Sequence, residues 1–369
     1  PSKEEQIVKE NLEQKEEIVE NKTIKIFVMY FAEILILLVF KNFLLYIYCK
    51  LFATLVEGLC AVIFAKKYFP FVFNKGKNKI EKLEVKEIVK NTGAMSVQKL
   101  GNFVIYGTDN IIISSFLGLT TLGLYSNYQL IVSAIEKVNN ILINSMKGSV
   151  GNQVASQDQI SNKRMFNNIL FAHLLFIGFV SICLFCLFNP FIELWIGENY
   201  LFTNLTAFLL AFSFYIKASR KVVLMYRDTS AIFKYDVYKP IIESVLNIAL
   251  SLILLKWFGI NGVILGTILS AVLSGLWIEP KTLYQKYFKA NVFEYYFKYL
   301  AITSLTIGIG AFTFFIINLL PAGLIFFILK GLICCVLPII LYLLVTWKSK
   351  EMKFVFNLIK NLKNKKNTK

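Results

Sequence analysis

Lysine and arginine fall in alternate gaps between about ten long apolar stretches, and that arrangement narrows the possible folds more than any other feature. The stretches run over 24–40, 43–65, 93–117, 121–146, 168–188, 202–223, 240–256, 260–279, 297–317 and 322–346. A bilayer-spanning helix needs about 20 mostly apolar residues, so each stretch is long enough to cross. A chain that is 56% hydrophobic and 17% charged has no room for a soluble core able to hide its apolar surface. The expected fold class is therefore all-α, a polytopic membrane protein of about ten transmembrane helices.

The basic gaps also orient the chain. Of its 40 Lys and Arg, twenty-nine lie in the gaps 66–91, 147–167, 217–239 and 280–298 and in the tail after 347. The intervening gaps hold only Lys41 and Lys256. Short cytoplasmic loops carry the positive excess, so both ends of this chain are expected in the cytoplasm, with a short loop at every external crossing. The net charge of +17 is accounted for by topology beside anionic head groups, and nucleic acid is not an expected partner. Residues 78–90 and 351–363 place apolar side chains at helical spacing among lysines. They read as basic amphipathic helices on the cytoplasmic leaflet, or else as partner-binding helices.

All six cysteines lie in apolar stretches. Cys183 and Cys186 have a redox or metal spacing, but no second pair or histidine cluster accompanies them, so they read as small apolar side chains. His173, the only histidine, reads as a packing or near-interface residue. No phosphate-binding glycine loop, metal cluster or nucleophile motif is present, so neither catalysis nor a cofactor is expected.

Polar groups inside spans are costly and tend to face a water-filled cavity or a partner. The third span carries Lys99, Asn102, Tyr106, Asp109 and Asn110 on one broad side. The fourth carries Gln129, Ser133, Glu136, Asn140 and Lys147 in a stripe about 60° wide. Both polar faces are expected to turn inward. Two readings are open: Asp109 and Glu136 pair with Lys99 and Lys137 to glue helices together, or the faces line a hydrated cavity. Glu33 and Glu57, in the first hairpin, are ion-coupling candidates or solvated interface groups. Ser213, Lys217 and Arg220 share a face at the end of the sixth span. There Arg220 suits a phosphate and equally fits the orientation signal.

Residues 107–128 read GTDNIIISSFLGLTTLGLYSNY, and this block resembles the polysaccharide-transporter branch of the multidrug/oligosaccharidyl-lipid/polysaccharide exporter superfamily, the Wzx-type flippases. KNFLLYIYCK at 41–50, KKYFPF at 66–71, LFNPFIELWIGENY at 187–200 and FGINGVILGTILSAV at 258–272 extend the resemblance over about 26–346. The resemblance implies a fourteen-helix fold of two six-helix lobes around a cavity, followed by two extra helices. This chain then supplies the last ten helices, with four N-terminal ones missing. A polar charged segment (1–23) would precede the last hairpin of the N-terminal lobe (24–65). A basic loop (66–91), the C-terminal lobe (92–280), the extra pair (297–346) and a basic tail (347–369) would follow.

By the same resemblance the chain sits in the bacterial inner or plasma membrane. It moves an undecaprenyl-diphosphate-linked oligosaccharide outward by alternating access, for capsule, O-antigen or exopolysaccharide. Membrane lipids are expected partners, as are the polysaccharide polymerase and chain-length machinery. The cavity candidates are then Lys99, Asn102, Asp109, Asn110, Asn127, Tyr128, Glu136, Lys137 and Arg220. A cation-coupled small-molecule exporter of the same superfamily and a membrane polysaccharide polymerase remain the alternatives.

Overall fold

The computed structural model describes residues 31, 34–36, 38–68, 82–232, 235–321, 323–354 and 356. The expected first span, 24–40, lies largely outside them, as does Glu33. The described chain forms two compact units, Pro1–Lys82 and Leu83–Lys369. In the first, the main described element is α1 (Phe43–Tyr68), capped by the Asn42 side chain, which accepts from the Leu44 and Leu45 amides. Its leucines, isoleucines and valines are exposed, the pattern of a helix whose solvent is lipid.

The second unit begins with a helical run, Lys82–Ser156, broken at Gly118 (φ 86°, ψ 166°). That backbone conformation disfavours any residue with a Cβ, so the glycine divides the run into α2 (82–117) and α3 (119–156). Of the 78–90 region, residues 78–81 lie outside the described residues, and from Lys82 onward it is helical and continuous with α2. No proline interrupts α2, and a glycine such as Gly93 costs a helix only about 1 kcal/mol.

Then come α4 (Gln159–Ile196), α5 (Asn204–Ser219), α6 (Lys221–Thr229), α7 (Lys239–Phe258) and α8 (Ile260–Ser270). A π turn at Ala271–Gly275 leads into α9 (Leu276–Leu283), and a second at Tyr284–Phe288 ends it. Two further helices, α10 (Phe293–Ile317) and α11 (Leu324–Thr346), close the unit. The architecture is all-α. The chain is a multi-pass membrane protein. Six described helical segments are long and apolar enough to cross a bilayer: 44–63, Gln159–Ile196, Lys239–Phe258, Ile260–Phe288, Phe293–Ile317 and Leu324–Thr346. α2 and α3 occupy the expected third and fourth spans but run together into a more polar helix. α5 occupies the sixth and is 16 residues long.

α4 is the hub, because α5, α6, α10 and α11 all pack on it. Its buried positions recur at 166, 170, 173–174, 177–178, 181–182, 184, 186, 188 and 192, a face wide enough to meet neighbours on several sides. Aromatic rings fill the core around it: Phe166 meets Tyr226, Tyr284 and Phe288 at centroid distances of 5.1, 6.0 and 5.3 Å. Outward faces remain apolar, as at Leu324, Ile325, Val336 and Leu344 of α11. Cys183, Cys186, Cys334 and Cys335 are free thiols on the α4 and α11 side, and the Cys183 Sγ donates to the Cys334 carbonyl at 3.5 Å.

α7 and α8 form the tightest pair. A Cβ on Gly266 would lie 2.5 Å from the Ser251 amide nitrogen, and one on Gly262 would lie 2.3 Å from the Leu254 carbonyl oxygen. Small residues four apart let two backbones touch, the usual device for helix association in lipid. The 258–272 block that carries part of the family resemblance is this contact.

Polar contacts sort the connections to two ends of the second unit. Lys147–Asp228 (3.7 Å), Lys163–Glu294 (2.8 Å) and Lys298–Glu351 (3.0 Å) join the connections near 147–167, 217–239 and 280–298 and the tail at one end. At the other, Asn189 donates to the Phe202 carbonyl (3.0 Å) and Thr206 to the Asn261 side chain (2.8 Å). The basic gaps of the second unit therefore share an end.

Candidate functional site

α7 is a membrane-length helix turned inside out. Its buried residues are Lys239, Pro240, Glu243, Ser244, Asn247 and Ser251, all polar except the proline. Ile241, Ile242, Val245, Ile253, Trp257 and Phe258 are exposed. Spacings of three and four residues put the polar set on one stripe that faces the protein. At about 1.5 Å per residue the stripe is roughly 18 Å long, over half of the hydrocarbon thickness.

The stripe has two parts. At the end shared by the basic connections, Arg220 sits between α5 and α6 and meets two carboxylates. Its Nε donates to Glu279 Oε2 at 3.0 Å and its Nη2 to Glu279 Oε1 at 2.5 Å. Nη1 and Nη2 also donate to Glu243 Oε1 and Oε2, at 2.8 and 3.1 Å. Lys239 Nζ lies 2.6 Å from Glu279 Oε1 and also pairs with Glu243. All four residues are buried, with Glu279 at 0% exposure. Two cations and two anions balance, as burial demands. Gly275 makes the room, since a Cβ there would stand 2.2 Å from the Arg220 Cζ. Beside this set Arg227 Nη1 donates to Asp236 Oδ2 at 2.9 Å. Burial raises the Asp236 carboxyl above the usual carboxylate range, and Arg227 pulls it only part of the way back.

Deeper in, Asp109 reaches from α2 to the α7–α8 pair. Thr267 Oγ1 stands 3.1 and 2.9 Å from the two Asp109 carboxylate oxygens. Asn247 Nδ2 donates to Thr267 Oγ1 at 2.9 Å, and Thr108 Oγ1 donates to Asn247 Oδ1 at 3.0 Å. Lys217 of α5 acts on the Asp109 charge. No group of three or more His, Cys, Asp or Glu side chains close enough to hold a metal ion occurs among the described residues.

α3 does not turn its polar stripe inward. Tyr125, Tyr128, Val132, Asn139, Ile143 and Val150 take the buried face. Gln129, Glu136, Asn140 and Lys147 are half-buried and Ser133 is exposed. The apolar face packs against the neighbouring helices, and the polar stripe stands at its edge. Glu136 acts on Lys221 of α6, yet neither forms an ion pair among the described residues.

The sequence candidates scatter accordingly. Asp109 and Arg220 are buried and fully engaged by protein groups. Tyr128 is buried near the opposite end, donating to Asn189 at 2.7 Å and accepting from the Phe202 amide at 3.0 Å. Glu136 and Asn127 are half-buried, and Asn110, Lys137 and Glu57 are exposed. The side chains of Lys99 and Asn102 lie outside the described residues. His173 is a packing residue that bonds Asn139 of α3 at 3.0 Å. Lys239, Glu243, Asn247, Thr267 and Glu279 are absent from the sequence candidates. Their signal was available: Lys239, Glu243, Asn247 and Ser251 repeat every four residues in an otherwise apolar span.

Residues 13–146 match the family model described as polysaccharide biosynthesis protein. Over that stretch the chain is similar to this family. The matched segment includes Asp109 and most of the α3 stripe. No curated protein and no solved structure matches the chain.

Proposed function

We propose that the chain is a polysaccharide-export transporter whose cargo is a lipid-linked oligosaccharide, moved across the bacterial inner membrane by alternating access. One observation carries this reading: the stripe Gln129, Ser133, Glu136 and Asn140 is left half-buried or exposed on α3, the helix that occupies the expected fourth span. Charged and amide groups left at the edge of a membrane protein need water or a polar cargo beside them. A sugar–diphosphate head is too polar for hydrocarbon and requires such a wall, while its lipid tail can remain in the bilayer. The similarity of residues 13–146 to polysaccharide biosynthesis proteins supports the same reading. With the basic end of the second unit in the cytoplasm, transport runs outward. The other end of the unit carries Glu193 and Glu198.

Expression in a strain lacking its own oligosaccharide flippase tests this. Surface polysaccharide should reappear with the chain, and should be lost when Gln129, Ser133 and Glu136 are all changed to leucine. No surface polysaccharide at normal membrane levels of the unchanged chain refutes the reading.

A further inference from the structure

We propose that the groove between α4, α5 and α10 binds an uncharged lipid alcohol, a slender apolar body that carries one hydroxyl group. The groove has a volume of about 240 Å³. A cavity of about 150 Å³ already holds a benzene ring. Four hydroxyl side chains reach it from three packed helices: Ser181 on α4, Tyr215 on α5, and Thr303 and Thr306 on α10.

Its place in the fold makes the ligand a lipid. Ala211, Gly310 and Ala311 make the room, since larger side chains there would fill it. Ile307, on the rim, is 43% exposed, and Ala311 is exposed beside it. The mouth therefore opens on the outer face of α10. These residues stand near the midpoint of a membrane-length helix, where the surrounding solvent is hydrocarbon chain.

The walls make it uncharged. Phe185 stacks on Phe314 at 4.5 Å and meets Phe208 edge-on at 5.4 Å, and Phe208 stacks on Phe212 at 5.8 Å. Each ring is held by another ring, so the apolar walls are formed before a ligand arrives. No charged side chain lines the groove. An ionised head group would enter it unpaired, which burial penalises heavily.

Hydrogen counting makes it an alcohol. Ser181 donates to the Ile177 carbonyl at 2.7 Å, Thr303 to the Tyr299 carbonyl at 2.7 Å and Thr306 to the Ile302 carbonyl at 2.8 Å. With its own hydrogen on that carbonyl, Thr303 accepts from Tyr215 at 2.9 Å, and Tyr215 also approaches Thr306. Thr306 accepts from Tyr342 at 2.7 Å. Every hydroxyl hydrogen at the groove is thus spent inside the protein, while the Ser181 and Tyr215 oxygens keep lone pairs. A ketone or an ester, which only accepts, finds no donor here. An alcohol supplies the hydrogen that these oxygens can take. In the middle of hydrocarbon its hydroxyl has no other partner, so one bond separates it from a plain chain.

The full chain in lipid nanodiscs is photolabelled with a long-chain alcohol carrying a diazirine, and the labelled peptides are mapped by mass spectrometry. Label is expected on the α4, α5 and α10 segments that line the groove. Unlabelled alcohol should compete about three- to tenfold better than the alkane or the methyl ketone of equal length, the worth of one hydrogen bond. Ala311→Trp blocks the mouth from its exposed side and should abolish the label in a folded chain. Ser181→Ala with Tyr215→Phe removes both acceptors and strands no donor. It should erase the alcohol's advantage while the alkane competes as before. Equal competition by alcohol, ketone and alkane overturns the proposal. So does label that survives Ala311→Trp, or an alcohol preference that survives the double variant. No transport is read in this assay, so failed polysaccharide export would remove the transport reading and leave the site.

Discussion

Replacing Glu279 by glutamine should unfold the charged end of the second unit. Glu279 is fully buried and accepts from Arg220 Nε at 3.0 Å and Nη2 at 2.5 Å, and it pairs with Lys239 at 2.6 Å. Glutamine keeps the shape but removes the charge, and its amide nitrogen must face donors. A set balanced at two plus and two minus becomes net positive inside the protein. Breaking a buried ionic set by removing one partner costs about 3–5 kcal/mol, or roughly three orders of magnitude in the folded-to-unfolded ratio. Denaturant unfolding in mixed micelles, followed by tryptophan fluorescence, measures this. Trp277 is a local reporter, two residues from Glu279 and stacked on Tyr296 at 5.2 Å. The decisive control is the double variant Arg220→Gln, Glu279→Gln, which leaves the neutral pair Lys239–Glu243. It should be less damaged than the sum of the single variants by at least about 1 kcal/mol. A Glu279→Gln protein within about 1 kcal/mol of the parent, or strict additivity in the cycle, refutes the idea that these charges act as one unit.

Three shorter predictions accompany it. Gly275→Ala places a Cβ 2.2 Å from a guanidinium pinned by four hydrogen bonds, so it should cost about 1–3 kcal/mol in the same unfolding assay. Tyr128→Phe strands the Phe202 amide and the Asn189 Oδ1, and should lower stability by about 1–3 kcal/mol while sparing polysaccharide export per folded molecule. With a single cysteine introduced into a cysteine-free chain, position 256 should react with an impermeant reagent in intact cells. Position 82 should react only after permeabilisation, and the reverse pattern sinks the orientation.

Much of the fold was legible because lipid demands long apolar runs. The ends of α10 and α11 fall within a few residues of the expected 297–317 and 322–346. α4 was underestimated at 168–188 because its polar first turns and Pro190 hid a helix that reaches from 159 to 196. The site was less legible. Asp109 was visible as a charge in a span, but Arg220 looked available for phosphate. Its carboxylates, Glu243 and Glu279, stood at the edges of two other spans and drew no reading. Nothing local to Arg220 says that residues 23 and 59 positions away close on it. The α3 stripe was correctly read as polar and misread as inward, since periodicity gives a face without saying what covers it.

The amino-acid sequence alone determined that this chain is a multi-spanning helical membrane protein with its basic connections in alternate gaps. Span length and loop charge are local quantities, fixed by bilayer thickness and head-group charge. The tertiary structure decided which polar groups are consumed and which remain open. It spends Arg220, Lys239, Glu243 and Glu279 on one another, brings Asp109 against Thr267 across 158 positions, and leaves Glu136 at the edge. Those outcomes depend on how closely helices approach, which small residues such as Gly266 and Gly275 set, and no single span records it.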